Sequence, residues 1–171
     1  MTATKKNTSV KILSLILAIM TVFSAFTVSG SVAQAASKPA QAYVAVQKAY
    51  GKSFPLSSKN RVKGKKRVFG VKTSTLSSYY AASKMVGSKT KAEYLIMIAK
   101  PAKGTSVKTV KSQLTKYKNN EEASMKNYLS DKGKKLFKNC KVGSTNGYVY
   151  IVMIDTNANK KAINAIKKAV K

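Results

Sequence analysis

Two short segments of the chain carry apolar side chains at every position, which predicts buried β-strands. They are residues 94–99 (Tyr-Leu-Ile-Met-Ile-Ala) and residues 150–154 (Tyr-Ile-Val-Met-Ile). A strand with one face in water alternates apolar and polar side chains, whereas an uninterrupted apolar run is typical of a strand covered on both faces. We therefore expect both segments to lie in the centre of a sheet.

The two strands belong to segments that resemble each other at an offset of 56 residues. Val-Gly-Ser occurs at residues 86–88, six residues before the first strand, and again at residues 142–144, six before the second. We interpret this as a repeated unit of strand, tight turn, apolar strand and helix, with chance similarity as the alternative. Asn146-Gly147 is typical of a two-residue hairpin turn, whereas Thr90-Lys91 in the first copy specifies the turn less well.

A first and a last helix are predicted from apolar residues that recur on one side. Residues 39–50 form the first, which ends at Gly51, a residue typical of a helix C-terminus. The last starts near Asn157 and ends in a lysine-rich turn, where the helix dipole favours cations. The apolar positions are Tyr43, Val46 and Tyr50 in the first helix, and Ala162, Ile163, Ile166, Ala169 and Val170 in the last.

A long helix is predicted between the two apolar strands. Thr105-Ser106 can cap its start, Glu121 interrupts its apolar stripe, and we expect Gly133 to end the helix or its extension. The stripe recurs at steps of three and four residues, which is typical of a helix that faces a core. It consists of Val107, Val110, Leu114, Tyr117, Met125 and Tyr128.

The order of these elements indicates an α+β fold. The other residues include a polar, basic loop at 52–66, a short strand at 67–71 and an ambiguous stretch at 73–80 with room for one or two helical turns. We expect an antiparallel sheet of four to five strands with helices packed on it, in the order α-(β)-β-β-α-β-β-α. We expect the two later helices to cover one face, and the first helix, the loop or a partner chain to cover the other.

Residues 1–35 have the three parts of a cleavable secretory signal peptide. Three lysines precede an apolar run at residues 12–28, and a more polar stretch then ends in Ala33-Gln34-Ala35. A retained membrane anchor is the alternative, since about 17 apolar residues are at the short limit for spanning a bilayer. We expect cleavage after Ala35, which leaves residues 36–171 as a single basic domain. No cysteine follows the apolar run to accept a lipid, so we expect a secreted protein that is not lipid-anchored.

The domain that remains after cleavage is strongly basic. Residues 36–171 hold 30 lysines and arginines against five carboxylates, a formal charge of about +25. Only two of the cations are arginines, the side chain suited to bidentate recognition of phosphates and bases. The lysine excess favours diffuse attraction to an anionic polymer over base readout, and export argues against a specific nucleic acid as partner. For any single lysine, an ordinary solvated surface is the alternative.

The basic residues concentrate in three clusters. The densest, here called the basic segment, consists of the six candidate anion-binding residues Lys59, Arg61, Lys63, Lys65, Lys66 and Arg67. It lies in the predicted loop, and a single aromatic residue follows it, unlike the interleaved aromatics of single-strand nucleic-acid binders. The second cluster is Lys132, Lys134, Lys135, Lys138 and Lys141, and the third is Lys160, Lys161, Lys167, Lys168 and Lys171.

Residue types that carry catalysis and metal binding are scarce. The chain has no histidine, and only two of its acids are adjacent, at positions that do not share a helix face. Residues 88–91 (Ser-Lys-Thr-Lys) match the Ser-x-x-Lys pattern of acyl-serine enzymes, but they fall in a predicted turn and lack the partner motifs. We therefore expect no enzyme, no cofactor and no metal site.

Cys140 is the only cysteine, so the core must hold the fold without an internal disulfide. We expect a buried, inert thiol. An intermolecular disulfide and a catalytic thiol are the alternatives.

Four stretches of the chain carry a family resemblance: residues 45–51, residues 93–100, the long helix ending near Tyr128-Leu129, and residues 147–153. Over about residues 43–170 the chain resembles a family of small exported proteins and lipoproteins of Gram-positive bacteria, catalogued as domain of unknown function 4358. The family has no established activity, so the resemblance implies no functional residues. Many relatives carry a lipidated cysteine after the signal and are less basic, and this chain departs from both traits.

Together these features predict an exported, non-catalytic domain that associates electrostatically with an anionic polymer of the cell wall or membrane surface. The alternative is a protein-interaction or homo-oligomeric module of the cell envelope, in which a partner covers the second face of the sheet. Binding that falls steeply with salt distinguishes the first, and a monomer in light scattering argues against self-association.

Overall fold

The computed structural model describes residues 36–171, except residues 88–91 and residue 158. The predicted signal peptide, with Ala33 and Ala35 at its cleavage site, lies outside the described residues. The helices are α1 (Lys38–Tyr50), α2 (Val107–Met125), α3 (Asp131–Asn139) and α4 (Lys160–Ala169). The strands are β1 (Arg67–Val68), β2 (Val71–Lys72), β3 (Leu76–Met85), β4 (Glu93–Pro101), β5 (Lys141–Thr145) and β6 (Tyr148–Met153). The predicted α+β class is confirmed.

A four-stranded antiparallel sheet in the order β3-β4-β6-β5 forms the centre of the domain. The two apolar segments are its adjacent central strands, as the sequence predicted. Every residue of β6 is buried, and so is each residue from 95 to 99 in β4. β1 and β2 form a separate two-stranded ribbon.

The sequence repeat has a geometric counterpart in the pairing of β4 with β6. Ile96 pairs with Val152, its equivalent 56 positions later in the repeat. Residue 95 pairs with 153, the equivalent of 97, and residue 97 pairs with 151, the equivalent of 95. The centres of the two apolar motifs therefore lie opposite each other, as in a local two-fold arrangement. The relation ends there, because Gly143 pairs with Tyr150 in the second hairpin while Gly87 lies beyond the end of β3 in the first.

Each face of the sheet is covered by its own pair of helices. One face, the α2/α3 face, packs Leu95, Met97 and Ile151 against α2 and α3. The other, the α1/α4 face, packs Ile96 and Val152 against α1 and α4. The expectation that the two later helices share a face is wrong, because α2 and α4 lie on opposite sides. The chain thus covers both faces itself.

The first hairpin differs from the prediction in where its strands lie. β3 begins at Leu76, after a short 3-10 turn at Thr73–Thr75, and it ends before the segment that the repeat had assigned as a strand. In the ambiguous stretch at 73–80, residues 73–75 form one helical turn and residues 76–80 belong to β3, which pairs with β4. The expected strand at 67–71 is instead two strands, β1 and β2, joined at Phe69-Gly70, where φ is +46° and +77°. The expected turn residues Thr90-Lys91 lie outside the described residues.

The second hairpin has the predicted turn. Asn146 and Gly147 have φ of +48° and +78° between β5 and β6, as a two-residue hairpin turn with positive φ at both positions requires. The strand pairs on either side are therefore held in one register.

The long helix begins as predicted but ends earlier. The side chain of Ser106 accepts a hydrogen bond from the backbone N–H of Thr109 and caps α2. α2 ends at Met125, and Tyr128, which was assigned to the core stripe, is exposed. Gly133 does not end a helix. It lies in the first turn of α3, where its backbone N–H donates to the capping side chain of Ser130.

Candidate functional site

The basic segment runs across the outer edge of β3, from one face of the sheet to the other. Leu56, before the segment, packs on the α1/α4 face, and Val68, after it, packs on the α2/α3 face. Between them the backbone N–H of Val62 donates to the carbonyl oxygen of Ala81 in β3 at 2.8 Å. The segment therefore covers a strand edge whose backbone groups would otherwise stay unpaired.

Hydrogen bonds at both ends hold the basic segment in place. At its start, the backbone N–H of Ser57 donates to Oδ1 of Asn60 at 2.8 Å. At its end, the hydroxyl of Thr73 donates to the carbonyl oxygen of Lys65 at 3.0 Å. A polar loop of this kind is expected to be adaptable, but here its backbone is tied to the sheet edge and to the β1–β2 ribbon.

All six side chains of the basic segment are exposed. Arg61 combines exposure with a packing role, since its guanidinium carbon lies 4.9 Å from the ring centroid of Tyr80. That ring stacks on Tyr43 of α1 at 4.2 Å. Burial raises the pKa of Tyr80, and the nearby guanidinium opposes this rise. Arg61 thus helps to join the basic segment to the core. The lysines of the segment are better placed than Arg61 to contact an external anion.

Carboxylates do not neutralise the basic segment. In the part of the chain that the structure describes, the ion pairs join Lys118 to Glu122 at 2.9 Å and Lys134 to Asp131 at 3.8 Å. No carboxylate of the described residues lies within 4.0 Å of a charge in the segment. Its positive charge is therefore available to an anion from outside.

The structure does not bring the three basic clusters together into one patch. The basic segment lies at the β3 edge of the sheet, and the second cluster lies on α3 and the start of β5, at the other edge. The third cluster lies on α4 and, with Lys171, just after its end, across the sheet from α3. Positive charge is therefore spread around the domain, with its greatest density in the basic segment.

Sequence reasoning missed a pocket of about 190 Å³ on the α2/α3 face. Its polar lining includes Glu93 at the start of β4, Tyr117 and Glu121 on α2, and Cys140 before β5. The hydroxyl of Tyr117 donates to Oε1 of Glu93 at 3.1 Å. The sequence did hold a signal for this pocket: Tyr117, Glu121 and Met125 follow each other at four-residue steps, which places an acid on the core-facing stripe.

Burial raises the pKa of Glu93 and of Cys140, two of the groups that line this pocket. It raises the pKa of Glu93 above its ordinary value, the hydrogen bond from Tyr117 opposes this, and the nearby charge of Glu121 adds to it. Burial also raises the pKa of Cys140 to about 12. The prediction of a buried thiol at Cys140 is confirmed, and a thiol with such a pKa is a poor nucleophile at neutral pH.

The other candidate features of the chain concern acyl-serine chemistry, metal binding and membrane spanning. The Ser-x-x-Lys match at residues 88–91 lies outside the described residues. Among the residues that the structure describes, no group of three or more acidic or cysteine side chains is arranged to hold a metal ion. No helix in the same part of the chain is long and apolar enough to cross a membrane.

The fold and its surface define a class: a small α+β domain with an antiparallel sheet between two helical layers and a basic segment along one sheet edge. The family model described as Domain of unknown function (DUF4358) matches residues 52–154. The chain belongs to this family, as the resemblance in its sequence indicated. The matched range contains the four-stranded sheet, α2 and α3, and leaves out α1 and α4. No curated protein and no solved structure matches the chain.

Proposed function

We propose that this protein is exported and acts as a non-catalytic domain that associates electrostatically with anionic polymer of the cell wall or membrane surface. One observation carries the proposal: six cations within residues 59–67 are exposed on a backbone fixed to the sheet edge, and no carboxylate of the described residues lies within 4.0 Å of them. The signal-peptide pattern in residues 1–35 supports export. Outside the cytoplasm, the abundant polyanions are polymers of the cell surface.

The type of cation supports diffuse attraction over recognition of one ligand. Four of the six residues are lysines, which act as hydrated point charges. Of the two arginines, Arg61 lies over Tyr80, and Arg67 donates to the carbonyl oxygen of Gly70 at 3.4 Å. Binding of this kind depends on charge density and weakens as the ionic strength rises, because the Debye length shortens.

The test is co-sedimentation of the purified protein with isolated Gram-positive cell wall, and in parallel with vesicles that contain anionic phospholipid. We expect retention at about 50 mM NaCl and release at about 500 mM NaCl. Retention that is indifferent to salt would contradict the proposal. The two materials distinguish a wall polymer from a lipid surface.

Two variants with the same loss of charge locate the interaction. The segment variant replaces Lys59, Lys63, Lys65 and Lys66 with glutamine and keeps the two arginines that contact the protein. The matched control replaces four exposed lysines of the other clusters, Lys138, Lys160, Lys167 and Lys168. We expect the segment variant to be released at lower salt than the control. Equal release would assign the binding to the whole surface rather than to the basic segment.

The alternative, a protein-interaction or homo-oligomeric module, remains a prediction with a weaker basis. It relied on a sheet face left for a partner to cover, and α1 and α4 cover that face. Light scattering of the purified protein tests it, since a concentration-independent monomer mass contradicts self-association.

A further inference from the structure

The pocket on the α2/α3 face contains no residue of the basic segment and has a different character. Its walls are largely apolar and include Met85, Met125, Met153 and Phe137. Methionine side chains are flexible and polarisable, and they adapt to the shape of a ligand. At about 190 Å³ the pocket is smaller than the range of about 300–1,000 Å³ typical of sites for drug-sized ligands. It therefore suits a small molecule with a short apolar part.

Two carboxylates from separate elements line this one pocket. Glu93 comes from the start of β4 and Glu121 from α2, and both are partly buried. The nearby charge of Glu121 adds to the raised pKa of Glu93. Residues 36–171 contain only five acids, so the meeting of two of them at one cavity is notable in a domain of this charge.

The described cations do not neutralise these two carboxylates. No lysine or arginine among the described residues lies within 4.0 Å of either one. Lys118 lines the same pocket, but its Nζ is held by Glu122 at 2.9 Å. The hydroxyl of Tyr117 donates to Glu93 and holds that carboxylate in position. The pocket thus presents acceptors for a positive group above an apolar wall.

We propose that this pocket binds a small organic cation: a primary ammonium group on a short apolar stem. The ammonium group would bond to Glu93 and Glu121, because charge-assisted hydrogen bonds to carboxylates are the stronger kind. The stem would lie against the methionines and Phe137. An organic anion is disfavoured by the same carboxylates, and a bare metal ion would leave the apolar walls without a contact. The inference concerns a second site and does not depend on the surface binding proposed above.

The test uses n-pentylammonium as the probe, with 1-pentanol and pentanoate as neutral and anionic probes of similar shape. The purified protein is labelled with ¹³C at the methionine methyl groups, which places reporters in the pocket wall, and its NMR spectrum is followed during titration. We expect saturable shifts of the Met125 and Met153 methyl signals with pentylammonium. We expect pentanol and pentanoate to bind more weakly by about tenfold or more, since pentanol has no positive charge to pair with the carboxylates and pentanoate carries a charge that they repel.

Variants connect the binding to the two carboxylates. We expect Glu93→Gln and Glu121→Gln each to weaken pentylammonium binding by about tenfold. The matched control is Asp131→Asn, which removes the same charge at an exposed position outside the pocket, and we expect it to change binding by less than about twofold. The methyl spectrum without ligand reports whether each variant is folded. If Glu93→Gln disturbs the fold, Glu121→Gln alone tests the inference. The Glu121 side chain takes no part in the hydrogen bonds that hold Glu93, so its replacement leaves those bonds intact.

Three results would overturn the inference. The first is pentanol binding as tightly as pentylammonium, which would make the pocket simply apolar. The second is an equal loss in the Asp131→Asn control, which would make the attraction a property of net charge. The third is the absence of saturable methyl shifts. None of these results bears on the salt-dependent retention of the protein on cell wall.

Discussion

The ring of Tyr150 in β6 lies directly over the backbone of Gly143 in β5, its cross-strand partner. A Cβ atom at Gly143 would lie 2.8 Å from Cε2 of that ring, and nearer still to its Cζ and hydroxyl. Gly143 has no positive φ. Glycine is therefore required here because a side chain would clash with the ring, and not because of the backbone conformation. An aromatic ring that covers a glycine in an edge strand is a known means of stabilising a sheet.

We expect Gly143→Ala to lower the free energy of unfolding by about 1–3 kcal/mol, because the added methyl group must displace the ring. Urea unfolding followed by circular dichroism measures the change. Ser144→Ala, at the exposed neighbouring position, is the control and should have little effect. In a Tyr150→Ala background the substitution should cost much less. The same cost in both backgrounds would show that the ring is not the reason.

Asn159 is a fully buried polar residue that joins three parts of the fold. Its Oδ1 accepts from the backbone N–H of Ile154 at 3.1 Å, and its Nδ2 donates to the carbonyl oxygen of Asn139 at 2.7 Å. Its φ of +55° places it in the left-handed region just before α4, a conformation that asparagine tolerates better than most residues.

We expect Asn159→Ala to lower the free energy of unfolding by about 3 kcal/mol, because two buried backbone groups lose their partner and alanine is strained at this φ. Asn159→Gly should lose about 1 kcal/mol less, since glycine has no such strain. Thermal and urea unfolding measure both. Asn164→Ala on the exposed side of α4 is the control, and an equal loss for alanine and glycine at position 159 would contradict the role of φ.

Glu93 makes stability depend on pH in a direction opposite to that of most carboxylates. Burial raises its pKa in the folded state above the ordinary value of 4.5, so the folded protein binds this proton more tightly than the unfolded chain does. The contribution to the free energy of unfolding is therefore greatest below pH 4.5 and falls as the pH rises through the window up to the raised pKa.

Glu93→Gln removes this titration. We expect its stability relative to the native sequence to increase as the pH rises from about 4 to about 7. Tyr117→Phe should extend the window to higher pH, because the hydroxyl of Tyr117 favours the ionised carboxylate. Urea unfolding at a series of pH values checks both. If Glu93→Gln instead loses stability relative to the native sequence as the pH rises, the ionised form of Glu93 does not destabilise the fold.

The thiol of Cys140 should be protected from modification in the folded protein. It is 6% exposed, and burial raises its pKa to about 12. Because the thiolate is the reactive form, we expect an aromatic disulfide reagent at pH 8 to react at least about 100-fold more slowly with the folded than with the unfolded protein. A Cys140→Ala protein with Ser144→Cys supplies an exposed thiol as control. A native rate close to that control would contradict the burial and would revive the intermolecular disulfide.

Local physical chemistry made much of the fold readable from the sequence. The uninterrupted apolar runs identified β4 and β6, Asn146-Gly147 identified the hairpin turn between β5 and β6, and Ser106 identified the start of α2. Each of these depends on neighbouring residues alone: on side-chain periodicity, on the φ that a turn requires, or on a cap for a free backbone N–H. The same is true of the density of the basic segment, which the sequence showed directly.

Only the tertiary structure decided which elements meet. Periodicity shows that α2 and α4 each bury one side, but not that they lie on opposite faces of the sheet, because that choice depends on packing between distant residues. For the same reason β3 became visible only through its pairing with β4. The meeting of Glu93 and Glu121 at one pocket likewise comes from the approach of α2 to β4. The two acids are 28 positions apart in the sequence. Only the folding of the chain places both carboxylates in the lining of one pocket, where they can bind the same ligand.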